Sequence, residues 1–480
     1  MKIAMVASEA NPFIKTGGLG DVVYSLSKEE VNLNQEVSII IPFYKALQNK
    51  IEIPLKKVAD YIVTMSWRRE PCEVFSTIVD GITYFFIKND RYFSRDVIYG
   101  EYDDGERFAF FTLASKMLFK EINYLPDIIH IHDWQVGMLP VLVKESYDMN
   151  EYLKNVKFML TIHNPVFQGL YNKIILGDFY NLPDSIFDNG KVRFKEQVST
   201  LKAAIIYCDK ITTVSPTHRE ELLTSEGGMG LDQILKLREY DFIGILNGID
   251  YKEFDPSKDE YINYKYDDTN FLKQKEMNKN ELLKSMHLRN SGQPLFGMVS
   301  RLTWQKGMDL FFAMAYELDK KACNLVILGS GEYQAEQELE TLRARYPDTV
   351  GIYIGYNNAL AHQIYASSDF FLMPSLFEPC GIGQMIAERY GALPIVRLTG
   401  GLKDSVINYD GNNEEVSNGY GFANYTSYDA VMTANYAFDT YWNLPLRKKL
   451  MLNALKTDNS WSKSAEIYIK LYKNLSQKLD

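Results

Sequence analysis

The chain has 480 residues, of which 46% are hydrophobic, and a typical size of roughly 150 residues per domain predicts two or three domains. Its 62 acidic and 52 basic side chains give a net charge of −10, which argues against a surface for nucleic acid or for an anionic membrane. The longest apolar runs are too short to span a bilayer and the N-terminus lacks a secretory signal pattern, so we expect a cytosolic protein without a membrane partner.

Short strand-like runs alternate with longer helix-like segments in the first half of the chain. The opening apolar stretch "KIAMVASEA" predicts a first strand. Further runs are brief, rich in β-branched and aromatic residues, and bounded by polar or turn residues, which is typical of strands. They cover residues 36–43, 82–89, 126–133, 156–164 and 210–216.

The second half repeats this alternation, with helical segments such as "GMDLFFAMAYELDKK" between the runs. Strands are predicted at residues 294–302, 323–331, 350–356, 369–375 and 392–398. Continuously apolar strands separated by helices are typical of parallel sheets that are covered on both faces. The sequence therefore predicts two doubly wound α/β domains, residues 1–250 and residues 251–455.

The predicted boundary follows "GILNGIDYKEFDPSKD" (244–259), where a polar stretch, "YINYKYDDTNFLKQKEMNKNE", begins. Its tyrosines, asparagines and lysines favour a solvated linker followed by a surface helix. The C-terminal segment, residues 456–480, contains "SWSKSAEIYIKLYKNLSQ". Apolar and aromatic side chains at helical spacing predict that this segment is a helix with one packed face, formed by Ala465, Tyr468, Ile469 and Tyr472.

Polar loops follow several of these strands, and doubly wound domains bind ligands beyond the carboxyl ends of their strands. We therefore expect the loops of both domains to line one cleft. The first loop, "KTGGLGD", fits neither G-x-G-x-x-G nor a P-loop, whose lysine follows the last glycine. Its glycines, the following helix and Lys15 suit an anion, but a tight strand-to-helix turn explains the glycines as well.

Two loops of the second half add charged groups. In "SRLTWQKG", Arg301 and Lys306 are spaced to converge on one diphosphate, with a fork from arginine and a point charge from lysine. In "PSLFEPCG", Glu378 lies at another strand end. These groups and the first loop are expected to face the same cleft.

Eleven motifs follow one another in a single order over essentially the whole chain: "KTGGLGDV", "RYFSRDVIYG", "YDDGERFAFF", "HIHDWQ", "TIHNPVFQG", "LNGID", "SRLTWQKG", "GYNNALAHQIYASSD", "PSLFEPCGIGQ", "RYGALPIVRLTGGLKDSV" and "SWSKSAEIY". With these motifs the chain resembles the bacterial glycogen synthases and starch synthases, which are retaining glucosyltransferases with a nucleotide-glucose donor. No motif is specific alone, whereas the ordered set is very specific.

The resemblance implies the GT-B fold, with two Rossmann-like domains across a cleft and a C-terminal helix that returns to the first domain. It implies transfer of glucose from ADP-glucose, or UDP-glucose in some relatives, to an α-1,4-glucan or maltooligosaccharide acceptor. The anomeric configuration is retained, and neither a metal nor another cofactor is needed. The oligomeric state is left open.

The resemblance also implies roles for single residues. The catalytic set is Glu378 as the carboxylate near the glucosyl unit, His132 beside the reacting sugar, and Lys306 and Arg301 as diphosphate ligands. Asp103 corresponds to an acidic residue near the acceptor. The donor-binding set is Lys15, Gly18, Asp21, Asn247, Tyr356 as the aromatic that stacks on the nucleobase, and the backbone of Cys380, Gly381 and Ile382.

The histidines and the cysteines fit more than one role. His130, His132 and Asp133 are spaced as a metal site, although buried, hydrogen-bonded histidines fit the pattern better, and His163 fits a structural role or a site role equally. Cys380 as a nucleophile is disfavoured because no histidine is near in sequence. The four cysteines form no CxxC pair, so we expect reduced thiols.

Other classes of protein fit the sequence less well. A phosphorylase is much longer and carries a pyridoxal phosphate lysine motif, and a nicotinamide-dependent dehydrogenase needs the missing G-x-G-x-x-G. A non-catalytic glucan-binding protein is not expected to keep Lys15, Arg301, Lys306 and Glu378 together.

Three positions depart from the common family pattern: Ser367 in "ASSD", Ile382 in "CGI" and Glu388 before "RYG".

Overall fold

The computed structural model describes residues 1–48 and 53–477. It divides into two compact units. Unit 1 contains Met1–Val214, Arg219–Ile245 and the segment that begins at Trp461, and unit 2 contains Ser215–His218 and Leu246–Ser460. The main divisions therefore fall after residues 245 and 460, whereas the sequence analysis placed them after residues 250 and 455. The assignment of Ser215–His218 to unit 2 was not predicted.

The strands follow the short apolar runs and, at the edges, shorter polar segments. In chain order they are β1 (Lys2–Val6), β2 (Glu36–Pro42), β3 (Lys56–Met65), β4 (Arg68–Val79), β5 (Ile82–Lys88), β6 (Ile128–His132), β7 (Lys157–Ile162), β8 (Leu170–Tyr171), β9 (Arg193–Phe194), β10 (Gln197–Ser199), β11 (Lys210–Thr213), β12 (Phe242–Gly244), β13 (Leu295–Val299), β14 (Asn324–Gly329), β15 (Val350–Ile354), β16 (Phe370–Met373), β17 (Leu393–Arg397) and β18 (Tyr420–Phe422). Each strand predicted above is present.

The helices connect these strands and cover the sheets. They are α1 (Gly18–Asn32), α2 (Lys45–Gln48), α3 (Asp90–Phe93), α4 (Asp104–Glu121), α5 (Leu139–Lys144), α6 (Tyr147–Tyr152), α7 (Ile175–Asp178), α8 (Ser185–Asp188), α9 (Thr200–Tyr207), α10 (Pro216–Leu222), α11 (Asp232–Leu237), α12 (Phe271–Ser285), α13 (Met308–Asp319), α14 (Tyr333–Arg345), α15 (Asn358–Ser367), α16 (Gly383–Arg389), α17 (Gly400–Ser405), α18 (Ser427–Tyr441), α19 (Leu444–Lys456) and α20 (Trp461–Ser476). Over the described ranges, none of them has the length and apolar character needed to cross a membrane.

The main sheet of unit 1 has the order β12-β11-β7-β6-β1-β2-β5-β4-β3. It is parallel from β12 to β5. The chain moves from β1 outward through β2 and then returns to β6 on the other side of β1, so the topological switch point lies between β1 and β6. A small antiparallel sheet, β8-β10-β9, accompanies it.

The sheet of unit 2 has the order β15-β14-β13-β16-β17-β18, and all its pairs are parallel. This is the doubly wound order, with its switch point between β13 and β16. The prediction of two doubly wound α/β domains is thereby confirmed.

Strands β3 and β4 were missed. In the unit 1 sheet β4 pairs antiparallel with β5, and β3 pairs antiparallel with β4, whereas the sequence analysis predicted parallel sheets. The signal was present: Asp80 and Gly81 join β4 to β5 with φ values of 50° and 78°, which is the conformation of a two-residue hairpin turn, and Asp-Gly is a strong marker of it. The alternating exposure along β3 fits an edge strand with one buried face.

The predicted packed face of the C-terminal helix is confirmed. Ala465, Tyr468, Ile469 and Tyr472 of α20 are all buried, and they belong to the same hydrophobic core as the strands of unit 1. Helix α20 packs against α1. The last helix therefore contributes to the folding core of unit 1.

The polar stretch after residue 259 is not the solvated surface helix that its composition suggested. Helix α12 buries Lys275 and Lys279 almost completely. The Lys275 ammonium donates to the carbonyls of Ala366 and Tyr390, both at 2.9 Å, where α15 and α16 end. A cation at helix C-termini satisfies carbonyls that lack helical partners, and burial lowers the pKa of Lys275 to about 7.

Glu388, a departure from the family pattern, is fully buried on α16. Its Oε2 accepts from the Asn459 side-chain amide at 2.6 Å. Burial raises the pKa of Glu388 well above its usual range, against a lowering contribution from Asn459. The folded state therefore holds this carboxyl in the neutral form at neutral pH.

Replacing Glu388 with glutamine should raise the free energy of unfolding, and the gain should grow as the pH rises above about 4.5. In that range the unfolded chain releases the Glu388 proton while the folded chain keeps it. The free energy of unfolding therefore falls by about 1.4 kcal/mol per pH unit until the pH reaches the pKa of Glu388 in the folded state. Glutamine keeps the acceptor for Asn459 and removes the titration. Thermal unfolding at pH 5 and pH 8 measures the effect, with Glu338→Gln on the exposed face of α14 as the control. An equal shift at both pH values would contradict the prediction.

Candidate active site

The central polar cluster of unit 2 lies at the switch point of its sheet. The loop after β13 carries Lys306, and the loop after β16 carries Glu378. The two strands are hydrogen-bonded neighbours in parallel orientation, so both loops leave the same edge. Sequence positions 72 apart thus become adjacent, and Lys306 Nζ donates to Glu378 Oε2 at 2.5 Å.

This ion pair is largely shielded from solvent, since the side chains are 14% and 9% exposed. Ser375 donates to the same Glu378 oxygen at 3.0 Å. Gly307, after Lys306, has φ 70°, and a Cβ there would come within 2.0 Å of the Pro374 carbonyl oxygen. Only glycine lets the lysine turn lie this close to the next loop.

A second loop holds the backbone around Glu378. A Cβ on Gly400 would lie 2.0 Å from the Glu378 carbonyl oxygen, and the Gly401 amide donates to that oxygen at 3.2 Å. The Gln384 side chain donates to the carbonyls of Cys380 and Gly381 at 3.2 and 3.0 Å. The glycine pair was visible in "RLTGGLKDSV", but no role had been assigned to it.

The structure brings Asn247 and Cys380 together, two of the predicted donor-binding residues. The Asn247 backbone amide interacts with the Cys380 thiol, and burial raises the pKa of that thiol to about 12. Cys380 is therefore protonated and unsuited to nucleophilic attack. Asn247 Oδ1 is buried, and among the described residues it has no hydrogen-bond partner.

Three further predicted residues of unit 2 lie outside this contact network. Arg301 is exposed after β13, and within residues 53–477 its guanidinium forms no ion pair. Tyr356 follows β15 with 82% of its surface exposed, so its ring face is open for stacking. Ile382 immediately precedes α16 and is half-buried.

The first polar cluster of unit 1 is the loop that follows β1. Lys15 Nζ contacts Asp21 Oδ1 at 3.0 Å, and both side chains are partly exposed; Asn11 donates to the same oxygen. A Cβ on Gly20 would lie 2.8 Å from Lys15 Cβ, whereas a Cβ on Gly18 would meet nothing within 4 Å. The loop is thus closely packed at Gly20, against Lys15, whereas there is open space at Gly18, where α1 begins.

Two supports of this loop were not predicted. Glu9, 3% exposed, accepts from the backbone amide of Thr16 and from its hydroxyl, the latter at 2.9 Å. Tyr99 donates to Glu9 at 2.5 Å. Tyr99 lies in "RYFSRDVIYG", a motif noted above without a role for this residue.

The second cluster of unit 1 consists of three histidines: His130 and His132 at the end of β6, and His163 directly after β7. His132 Nδ1 and His163 Nε2 are 3.0 Å apart, and His130 and His132 are stacked with ring centroids 4.3 Å apart. Burial lowers the pKa of His130 and of His163 to about 3. Burial, with a smaller effect from His130 and His163 nearby, lowers the pKa of His132 well below its usual range. All three rings are neutral at physiological pH.

The geometry does not favour the metal alternative for these histidines. Both ring nitrogens of His130 are hydrogen-bonded, to Tyr472 at 2.8 Å and to Thr161 at 2.7 Å. Asp133 Oδ1 accepts from the His163 backbone amide at 2.7 Å, and burial raises its pKa to about 7. In the described ranges no group of three or more His, Cys, Asp or Glu residues is arranged to hold a metal ion.

Asp103, predicted near the acceptor, forms a bidentate pair with Arg95 at 2.6 and 2.7 Å. Burial acts to raise its pKa, but Arg95 outweighs burial, so the pKa is lowered. Both carboxylate oxygens already have a strong partner.

The arrangement combines groups suited to an anion with groups suited to a polyol. Unit 2 offers Lys306 and Arg301 as cations beside the Glu378 carboxylate. Unit 1 offers a lysine over a helix N-terminus and a neutral histidine, His132, whose buried Nε2 has no hydrogen-bond partner in the described part of the chain. Cations and a helix N-terminus are suited to phosphate groups, and a neutral ring nitrogen is suited to a hydroxyl group.

Comparisons with known proteins agree with this combination. Residues 2–237 match the family model of the starch synthase catalytic domain, and residues 279–453 match that of glycosyl transferases group 1. The glycogen synthase of Anoxybacillus flavithermus is 43% identical over 476 residues, which cover 99% of this chain and 98% of the relative. The glycogen synthase of Clostridioides difficile is 44% identical over 480 residues, which cover 99% and 100%.

A solved structure agrees as well. The catalytic domain of starch synthase IV from Arabidopsis thaliana, bound to ADP and acarbose, has a TM-score of 0.92 and 33% sequence identity, with 99% of each chain covered. Two doubly wound sheets and this similarity define a glycosyltransferase with the GT-B fold. Within that class, the chain belongs to the bacterial glycogen synthase and starch synthase family, as its ordered motifs predicted.

Proposed function

We propose that this chain transfers glucose from ADP-glucose to the non-reducing end of an α-1,4-glucan with retention of configuration. The observation that carries the proposal is the shielded Lys306–Glu378 pair at the switch point of unit 2. A cation and a carboxylate in contact, both in a poorly solvated site, are suited to a substrate whose diphosphate gains negative charge while its sugar gains positive charge.

The proposal assigns the departing diphosphate to cations of the chain. Lys306 supplies a point charge and Arg301 a planar fork, and Lys15 supplies a further charge beside the N-terminus of α1. Asp21 holds the Lys15 ammonium in place. Because these groups neutralise the diphosphate directly, the proposal requires no metal ion and no other cofactor.

The glucosyl unit is assigned to Glu378, His132 and the donor loop. Glu378 offers negative charge where the sugar becomes oxocarbenium-like. The neutral His132 ring is assigned to a sugar hydroxyl through its buried Nε2, and the His132 backbone carbonyl is assigned to the anomeric carbon. Gly18, Asn247 and the backbone of Cys380–Ile382 supply further contacts to donor hydroxyls and phosphates.

The base and the acceptor are assigned to two other residues. Tyr356 presents an exposed ring for stacking on the nucleobase, and stacking alone tolerates either base. ADP-glucose is preferred because the similar plant starch synthase was solved with ADP. Asp103 is assigned to the acceptor, where its pairing with Arg95 orients the carboxylate. A cytosolic location belongs to the proposal too.

The first test is nucleoside-diphosphate release from ADP-glucose and from UDP-glucose, each with and without a maltooligosaccharide. We expect release of ADP that depends on the acceptor. Equal acceptor-dependent release from UDP-glucose would replace the donor in the proposal but keep the reaction. Absence of acceptor-dependent release from either donor would favour a glucan-binding protein and contradict the proposal.

A further inference from the structure

A line of buried polar side chains connects the C-terminal helix to the histidines of unit 1. The Tyr472 hydroxyl of α20 is 2.8 Å from His130 Nδ1, and His130 Nε2 is 2.7 Å from the Thr161 hydroxyl of β7. His130 is fully buried and its pKa is lowered to about 3 by burial. The ring is therefore neutral, with one nitrogen donating and the other accepting.

The threonines at one end of the line determine which nitrogen of His130 donates. Thr212 donates to the Leu160 carbonyl oxygen, which can only accept, at 3.2 Å. The hydroxyls of Thr161 and Thr212 are 2.6 Å apart, so Thr161 donates to Thr212 and accepts from His130 Nε2–H. His130 Nδ1 is then the acceptor, and the Tyr472 hydroxyl must donate to it.

Glu30 of α1 lies near Tyr472 at the other end of the line. It is fully buried, and in the described part of the chain neither of its carboxyl oxygens has a hydrogen-bond partner. Burial raises the pKa of Glu30 to about 8, so the carboxyl is predominantly protonated at pH 7. A neutral carboxyl does not compete for the Tyr472 proton as a carboxylate would, which leaves that proton for His130.

His130, in the middle of this line, lies directly against the proposed catalytic histidine. The rings of His130 and His132 stack at 4.3 Å with an angle of 28° between their planes. On its other side His132 is held by His163 at 3.0 Å. The position of the His132 ring therefore depends on a neighbour whose own ring is fixed from α20.

We propose that Tyr472 is a positioning residue for His132, acting through the tautomer and ring orientation of His130. The inference rests on the proposed function for the role of His132 in the reaction. It makes the last helix a support of the reacting groups in addition to a part of the core.

The first readout is the ring nitrogen spectrum of protein labelled with ¹⁵N-histidine, which contains only six histidines. Tyr472→Phe removes one hydroxyl and keeps the ring, so we expect the His130 Nδ1 signal to lose its hydrogen-bonded shift and the His132 signals to move with it. Tyr468→Phe is the matched control, because its ring lies beside His130 with centroids 5.6 Å apart while both His130 nitrogens are bonded elsewhere. His132→Ala and His130→Ala assign the signals.

The second readout separates kcat from KM. Displacing a supporting group typically lowers activity by about 10- to 100-fold, so we expect Tyr472→Phe to lower kcat by about tenfold or more with KM for the donor changed by less than about twofold. Tyr468→Phe should keep the wild-type kcat.

The outcomes separate this inference from the proposed function. Unchanged His132 signals in Tyr472→Phe would overturn the positioning role whether or not the enzyme transfers glucose. Shifted His132 signals with an unchanged kcat would overturn it as well. If the wild-type chain transfers no glucose, the proposed function fails, and the spectra of Tyr472→Phe and Tyr468→Phe still decide whether Tyr472 positions His132.

Discussion

Replacing Lys306 with alanine is expected to lower kcat for glucosyl transfer by about 10³-fold. The ammonium lies in a poorly solvated site, where a charge that stabilises the departing diphosphate is worth more than in water, and loss of one such group typically costs about 10²- to 10³-fold. The diphosphate then departs without one of its proposed counter-charges. Steady-state kinetics with the donor and a maltooligosaccharide measure the change.

Unit 2 offers a matched control for this substitution. Lys320 forms an ion pair with Glu317, but the Lys320 side chain is 68% exposed, so Lys320→Ala removes an equivalent contact that water screens. We expect wild-type kinetics from it.

Removal of Lys306 also leaves Glu378 buried without its cation, which typically costs about 3–5 kcal/mol, so thermal unfolding must show that Lys306→Ala is folded at the assay temperature. Wild-type kcat in folded Lys306→Ala would contradict its role.

Replacing Glu378 with glutamine is expected to lower kcat by about 10²-fold or more. Glutamine preserves the size of the side chain and can accept from Ser375, so the backbone held by Gly400 and Gly401 should stay in place. The change removes the negative charge proposed to stabilise the oxocarbenium-like sugar and the partner that orients Lys306. Kinetics beside the Glu317→Gln control measure the loss of the charge, and a kcat within about twofold of wild type would contradict the assignment.

The double variant tests whether Lys306 and Glu378 act as one unit. Residues in direct contact are expected to show strong coupling, and groups of one catalytic site are far from additive. We therefore expect Lys306→Ala/Glu378→Gln to be no slower than the slower single variant. A loss equal to the product of the two single losses would mean that the two side chains act independently.

Much of the fold was predictable because the signals were local. Continuous apolar runs gave the central parallel strands, and helical spacing gave the buried face of α20, since both patterns report which side chains must leave water. The positions of Lys306 and Glu378 at strand ends were also predictable. Their contact was not, because it depends on β13 and β16 being neighbours in the sheet, which no local pattern records.

The errors arose where tertiary contacts outweighed composition. The lysines of α12 suggested a solvated face, yet the Lys275 ammonium meets carbonyls at the ends of two other helices. Strands β3 and β4 were missed because buried and exposed residues alternate along them, and neither forms a continuous apolar run like those of the parallel strands. The pairing of Asp103 with Arg95, and the hydrogen bonds of Glu9 to Thr16 beside Lys15, are likewise visible only in the folded structure.

The most direct measurement of the central claim is the structure of the product formed from ADP-glucose carrying ¹³C at the anomeric carbon. With a maltooligosaccharide acceptor, we expect the labelled glucose at the non-reducing end in an α-1,4 linkage, seen by NMR as an α-anomeric signal on the lengthened chain. A β-linked product, or label found only in free glucose while ADP is released, would contradict a retaining α-1,4-glucan synthase.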